Sequence, residues 1–166
     1  MAIDGYDCAL RLLAAVPAGV QAIVSALPSD LLDWRPAPDQ WSMRDVLAHL
    51  LDADTAVTRP RIDLMLAEDD PILPVAPLVT PAGDAVQLLA AWVAARAANL
   101  SFFQHLTTEQ LARTGRHPMH GTFSVRDLVI ELAYHDQDHL HQLATIAQAA
   151  LYPEMHRFHV LYPRPL

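Results

Sequence analysis

Two histidines four residues apart, His135 and His139, lie in the run Tyr134-His135-Asp136-Gln137-Asp138-His139-Leu140-His141-Gln142. On a helix, positions i and i+4 differ by about 40° around the axis, so both imidazoles leave one face. Two neutral imidazoles at that spacing grip a single divalent ion, as they do on the H-E-x-x-H helix of zinc proteases. A third histidine on a facing helix makes three protein ligands and keeps one position open for water or substrate. His49 is the candidate for that ligand. The protease base is missing, because Asp136, Gln137 and Asp138 fill the gap between the two histidines. A bundle diiron site needs Glu-x-x-His pairs, and none occurs. Asp138, three residues past His135, and Asp52, three past His49, are candidates to accept a proton from a non-ligating ring nitrogen. The alternative for both is a solvated helix-face charge. Gln142, one turn past His139, is placed to orient a bound water or to pack polar against the site.

Four helices must position these side chains. The first covers residues 4–27, with a kink or break expected at Pro17. A proline-rich loop at 28–40 follows, with Trp34 expected to plug a bundle end. The second helix opens at Ser42, an N-cap with Asp45 three residues on, and runs to about 68, with Pro60 a source of distortion. Residues 69–81 carry prolines and no periodicity, which predicts an extended crossover. The third helix runs from Pro81, a good first-turn residue, to 106. A connection at 107–122 contains Gly115, His117, Pro118, His120 and Gly121, and the fourth helix runs from its Ser124 cap to 151. The second and fourth helices start alike: Trp41-Ser42-Met43-Arg44-Asp45-Val46-Leu47 and Phe123-Ser124-Val125-Arg126-Asp127-Leu128-Val129.

The inward stripe of the fourth helix reads Leu128, Leu132, His135, His139, Gln142 or Leu143, and Ile146. In the second it reads Val46, His49 or Leu50, Ala53 and Val57, with Arg44, Asp52 and Thr55 on the outer face. The first histidine lies seven residues past its cap in one helix and eleven in the other. At about 1.5 Å per residue, parallel helices would bring all three to one depth. His141 is about 200° from His139 and faces away. His105, His156 and His159 have no partner at ligand spacing and are expected to be structural or solvated. His117 and His120 either overlook the metal mouth or are exposed; exposure is the expectation. Tyr134 and Trp92 read as core or interface, and Cys8 as no nucleophile.

Bulk composition agrees with a single all-α domain over residues 1–166. The chain is 52% hydrophobic with five glycines, a helical rather than a sheet composition. Its net charge is −8 and every cation other than histidine is arginine, so the basic footprint of a nucleic-acid binder is absent. The apolar run 12–27 follows Asp4 and Asp7 and is broken by Pro17 and Gln21, so it is expected to be a core helix, not a membrane span or signal. The lone Cys8 allows no internal disulfide and suits a reducing cytoplasm.

Trp41-Ser42, then Leu47-Ala48-His49-Leu50, then His135, His139 and Gln142, resemble the DinB superfamily in order and spacing. Asp33-Trp34-Arg35-Pro36-Ala37-Pro38 and the Gly121-Thr122-Phe123-Ser124 entry to the last helix fit the same pattern, which covers about residues 5–150. The resemblance implies an up-up-down-down four-helix bundle with a long crossover. It also implies one divalent metal, zinc or nickel, on His49, His135 and His139, and a homodimer. Relatives of that kind include transferases using mycothiol or bacillithiol and a thiol-dependent maleylpyruvate isomerase. A thiol S-transferase acting on a small molecule is thus the first functional expectation, with a low-molecular-weight thiol as cofactor and Arg11, Arg44, Arg59, Arg61 or Arg126 to receive it. A water-activating hydrolase is the second. A noncatalytic metal-binding stress-response bundle is the alternative from another class.

Overall fold

The computed structural model describes residues 4–75 and 82–162. Helix α1 spans Gly5–Ser25 and is capped by Asp4, whose carboxylate accepts from the Tyr6 amide at 2.8 Å. Its buried stripe, Tyr6, Ala9, Leu13, Val16, Val20 and Val24, steps by three and four. The helix passes through Pro17 as one element, so the expected break does not occur there. Short 3-10 turns span Ser29–Leu31 and, at the other end of the chain, Tyr152–Val160. Trp34 packs against the core cluster formed by Met43, Leu47 and Trp92, as expected of a plug.

The second helical arm is segmented. Helix α2, Met43–Asp52, leads into a π-helical turn, Ala53–Thr58, and then into α3, Arg59–Ala67. Proline supplies no N–H and its ring crowds the carbonyl four residues back, here that of Ala56. Widening the turn before Pro60 relieves that clash and re-aims the residues in it. Asp52, at the end of α2, and Ala53 and Asp54, at the start of the π turn, are all buried, so the expected outward placement of Asp52 is wrong.

Helix α4, Ala85–Phe103, starts later than expected; its cap is Asp84, in a capping box with Gln87, and Pro81 lies outside the described residues. Helix α5 is a single turn, Thr108–Leu111. The connection expected at 107–122 is in fact built around a hairpin of β1, Thr114–His117, and β2, Gly121–Ser124, in which Gly115 pairs with Phe123. Residues 71–73 join its edge: Leu73 N–H donates to Arg116 O and Arg116 N–H to Pro71 O, each at 2.8 Å. Gly115 is required there, since a Cβ would stand 2.7 Å from Leu73 Cδ2 and 2.9 Å from Met65 Cγ. Gly121 turns the hairpin at φ +85°.

Helix α6, Val125–Leu151, packs along α1, while α2 packs along α4. Both α2 and α6 begin with full capping boxes, Ser42 with Asp45 and Ser124 with Asp127. The architecture is an all-α four-helix bundle, its arms being α1, the α2–π–α3 arm, α4 and α6. Helices α1 and α4 are long and apolar enough to cross a membrane, and equally fit the core helices of a soluble bundle.

The apolar core falls into two clusters. One gathers Val16, Val20, Met43, Leu47, Leu88, Trp92, Leu143 and Ile146; the other gathers Tyr6, Leu13, Ile62, Met65, Phe103, Val125, Leu128 and Leu132. All four arms change cluster, α1 between residues 13 and 16 and the others between residues 50 and 53, 92 and 103, and 133 and 143, and polar side chains occupy the last three intervals.

Candidate metal centre

The His pair and the third histidine meet in that mid-bundle layer. His135 Nε2 lies 2.9 Å from His49 Nε2 and 3.1 Å from His139 Nε2. One ligand atom from each residue can be chosen so that all lie within 4.8 Å of one another. Two imidazole nitrogens held by one cation at about 2.0–2.1 Å stand about 2.8–3.4 Å apart for angles between 90° and tetrahedral. Both measured separations fall in that range. The residues therefore fit a divalent ion.

Each ring is held from behind in a different way. His139 Nδ1 donates to Gln142 Oε1 at 2.8 Å, which leaves the Nε2 lone pair facing the centre. Gln142 thus acts on the ring. Trp41 stacks on His139 with centroids 5.9 Å apart and planes 5° apart, and meets His49 edge-on at 5.1 Å. Burial, with the neighbouring His135 and His139, pushes the His49 pKa down to about 4. Burial also lowers that of His139, against the hydrogen bond it donates to Gln142. Both imidazoles are thus kept neutral at pH 7, the form that ligates metal.

His135 Nδ1 is buried and has no hydrogen-bond partner among the described residues; Asp136 Oδ1 stands 3.8 Å away. Asp136 belongs to a buried polar cluster that sequence reasoning missed. Arg96 NH1 and NH2 donate to the two oxygens of Asp136, and Arg96 NH2 and Nε donate to Asp54 at 2.7 and 3.2 Å. Trp92 Nε1 and Asn99 Nδ2 complete Asp54, each at 2.8 Å. Trp92, Arg96 and Asn99 recur at helical spacing on the buried stripe of α4. Two polar residues on the apolar stripe of an Ala-rich helix are the signal that could have found them. The carboxylate beside His135 is Asp136; Asp138 is exposed, a helix-face charge.

A cavity of about 480 Å³ opens against His49 and His135. Ala53, Val57, Phe123, Leu128 and Leu132 give it apolar walls, and Asp52, Arg61, Glu131, His117 and His120 give it polar ones. The expectation of exposure is corrected for His117; His120 is exposed as expected, yet it also lines the cavity. His117 is buried, the two rings stack with centroids 4.6 Å apart, and the hairpin holds both at the cavity wall. The Met119 amide donates to His117 Nδ1 at 3.2 Å, so Nε2 carries the proton. Burial, Arg61 and His120 lower the His117 pKa and keep the ring neutral. Burial raises the pKa of Asp52, which accepts no hydrogen bond from His49. Of the five candidate arginines only Arg61 lines the cavity. Arg44 pairs with Asp33, Arg59 with Asp63 and Arg126 with Asp4, while Arg11 is exposed. His141 and His156 are exposed, His105 bonds Ser101 O at 2.6 Å, and His159 stacks on Tyr152, all away from the centre. Tyr134 is exposed and Cys8 half-buried.

A family model, that of the DinB superfamily, matches residues 12–143. Among solved structures, YfiT from Bacillus subtilis, described as a probable metal-dependent hydrolase with an unusual four-helix bundle topology, is 19% identical with a TM-score of 0.78, covering 89% of each chain. TT2238, described as a four-helix bundle protein, is 22% identical with a TM-score of 0.61, covering 84% of this chain and 98% of its own. No curated protein sequence matches.

Proposed function

The chain belongs to the DinB superfamily, and from that premise we propose that it is a metal-dependent enzyme, first of all a hydrolase, built on His49, His135 and His139. The convergence of three ring nitrogens, two of them from residues lining an open cavity, carries this reading. The description of YfiT as a probable metal-dependent hydrolase supports it. Zinc or nickel suits an all-imidazole donor set. When bound, such an ion supplies Lewis-acid polarisation and lowers the pKa of a water or thiol beside it.

The chain's own residues supply the rest. His49 and His135 face the cavity, while His139, backed by Gln142 and Trp41, closes the other side. The apolar walls exclude water from the body of a small substrate. Asp52, a buried carboxylate whose pKa burial raises, takes a proton from the attacking nucleophile and returns it to the leaving group. His117 offers its Nε2 proton as a fixed neutral donor to an acceptor atom of the substrate.

Thiol transfer is the second reading, and Arg61 favours it. A guanidinium on the wall beside His117 and His120 gives an acidic low-molecular-weight thiol a place to dock. The setting we propose is a homodimer in the cytoplasm, which the family resemblance and the lone Cys8 support. The test is zinc- or nickel-loaded protein assayed on activated esters, amides and phosphate esters, with and without bacillithiol, mycothiol or glutathione. Turnover without thiol that is lost in His49→Ala supports the hydrolase; turnover only with thiol replaces it with the transferase. No turnover of any substrate by metal-loaded protein would leave a noncatalytic metal-binding bundle.

A further inference from the structure

The buried Asp136–Arg96 pair does more than tie helices together. We infer that Asp136 is the positioning residue of His135, holding its ring by the Nδ1 proton so that Nε2 faces the centre. Arg96, itself fixed by Asp54, keeps the Asp136 carboxylate in that place. This rests on the reading of the triad as a metal centre and assigns the charge behind it.

His135 is the middle ligand, since its Nε2 is the atom close to both partners. For that nitrogen to present a lone pair to a cation, the ring proton must sit on Nδ1. Nδ1 is buried with no hydrogen-bond partner among the described residues, and Asp136 Oδ1 is the anionic acceptor beside it, 3.8 Å away. A shift of less than about 1 Å brings that contact to ordinary hydrogen-bond length. His139 already has the equivalent support from Gln142 at 2.8 Å. The two ligands on α6 are thus backed by side chains of their own helix, one neutral and one anionic.

Asp136 is not free to serve another partner. It is fully buried and accepts from Arg96 NH1 and NH2, Arg96 also donates through NH2 and Nε to Asp54, and Trp92 and Asn99 lock Asp54 in turn. Formal charges leave an excess. Two carboxylates share one guanidinium, so by formal charge one negative stays uncompensated in the core beside the histidine triad. A divalent ion on the triad offsets it, and in a low-dielectric interior that attraction favours loading.

The experiment compares Asp136→Asn with Asp54→Asn in the full chain. Zinc affinity is read by competition with a chromophoric chelator, and the His135 Nδ1–H resonance by NMR of nitrogen-15-labelled, zinc-loaded protein. Wild type should bind one zinc and show an exchange-protected Nδ1–H. Asp136→Asn should weaken zinc binding by about 10- to 100-fold, the usual cost of losing such an outer partner, and lose the protected proton. Asp54→Asn should melt earlier but lose less zinc affinity than Asp136→Asn, because Asp136 retains Arg96. Equal losses in both variants, or wild-type affinity in Asp136→Asn, would overturn the inference. Should Asp136→Asn not fold, Arg96→Lys loosens the same carboxylate by replacing a fork with a point charge, and unchanged zinc affinity there overturns it too. A wild type that binds no zinc, nickel or cobalt overturns the metal reading itself, an outcome separable from the others.

Discussion

Replacing Arg96 with Met should be among the most damaging single changes in the core. The side chain is almost fully buried and holds two carboxylates that are themselves inaccessible. Without it, Asp54 keeps the donors of Trp92 and Asn99, but Asp136 loses both of the hydrogen bonds its carboxylate accepts from Arg96. Breaking a buried ion pair by removing one member costs about 3–5 kcal/mol, because the other charge is left unpaired. For a chain of this size 1 kcal/mol moves Tm by about 2–4 °C, so the variant should melt about 6–20 °C early. Arg44→Met is the control: its pair with Asp33 is solvent-exposed, worth about 0–1 kcal/mol. Differential scanning calorimetry of both variants at pH 7 reads the contrast. Adding Asp136→Leu to Arg96→Met should recover part of the loss, since it removes the orphaned charge. An Arg96→Met protein that melts no earlier than Arg44→Met, or a double variant less stable than the single, would refute the reasoning.

Other outcomes follow from the same geometry. His135→Ala should lose metal while keeping its far-ultraviolet circular dichroism, because the apolar clusters do not depend on the ion; loss of the helical signal at room temperature would show the metal to be structural. The metal-free protein should weaken on acidification from about pH 6.5 towards pH 4. The folded His49 pKa, about 4, lies below the unfolded value near 6.5, so the unfolded chain binds the extra proton in that window and stability is complete only above it. Urea midpoints at pH 7, 5.5 and 4.5 check the sign, and His49→Gln should flatten the trend; midpoints that rise on acidification would contradict it. Gly115→Ala should destabilise by about 1–3 kcal/mol, since its Cβ meets the fully buried Leu73 and Met65 side chains; an unchanged urea midpoint counts against the packing described. Cobalt or nickel should quench the fluorescence of Trp41, stacked on His139, and the quenching should vanish in Trp41→Phe.

Much of the centre was legible because its signals are local. The His135–His139 spacing, the Ser–Asp caps of α2 and α6 and the stripe holding His49 all follow from helix periodicity and end chemistry. The polar cluster behind them was not, because Arg96 and Asp54 are far apart in sequence and gain meaning only when α4 meets the π turn. Arg96 alone in an Ala-rich helix reads as a surface charge. Asp54 is buried at the start of the π turn, where the helical period changes partway along the arm. The hairpin was hidden by its length: strands of four residues, rich in His, Gly and Arg, carry too little alternation to stand out from a loop. The burial of His117 was missed with it, since the hairpin's docking against residues 71–73 puts that ring at the cavity.

The central claim is that three histidines form one metal centre, and a metal titration of stripped protein by calorimetry, checked by elemental analysis after dialysis, tests it most directly. The account predicts one zinc or nickel ion per wild-type chain and none retained by His49→Ala, although His49 lies in a different arm from the His pair. A wild-type chain that retains no ion, or a stoichiometry of one that survives His49→Ala, would contradict it.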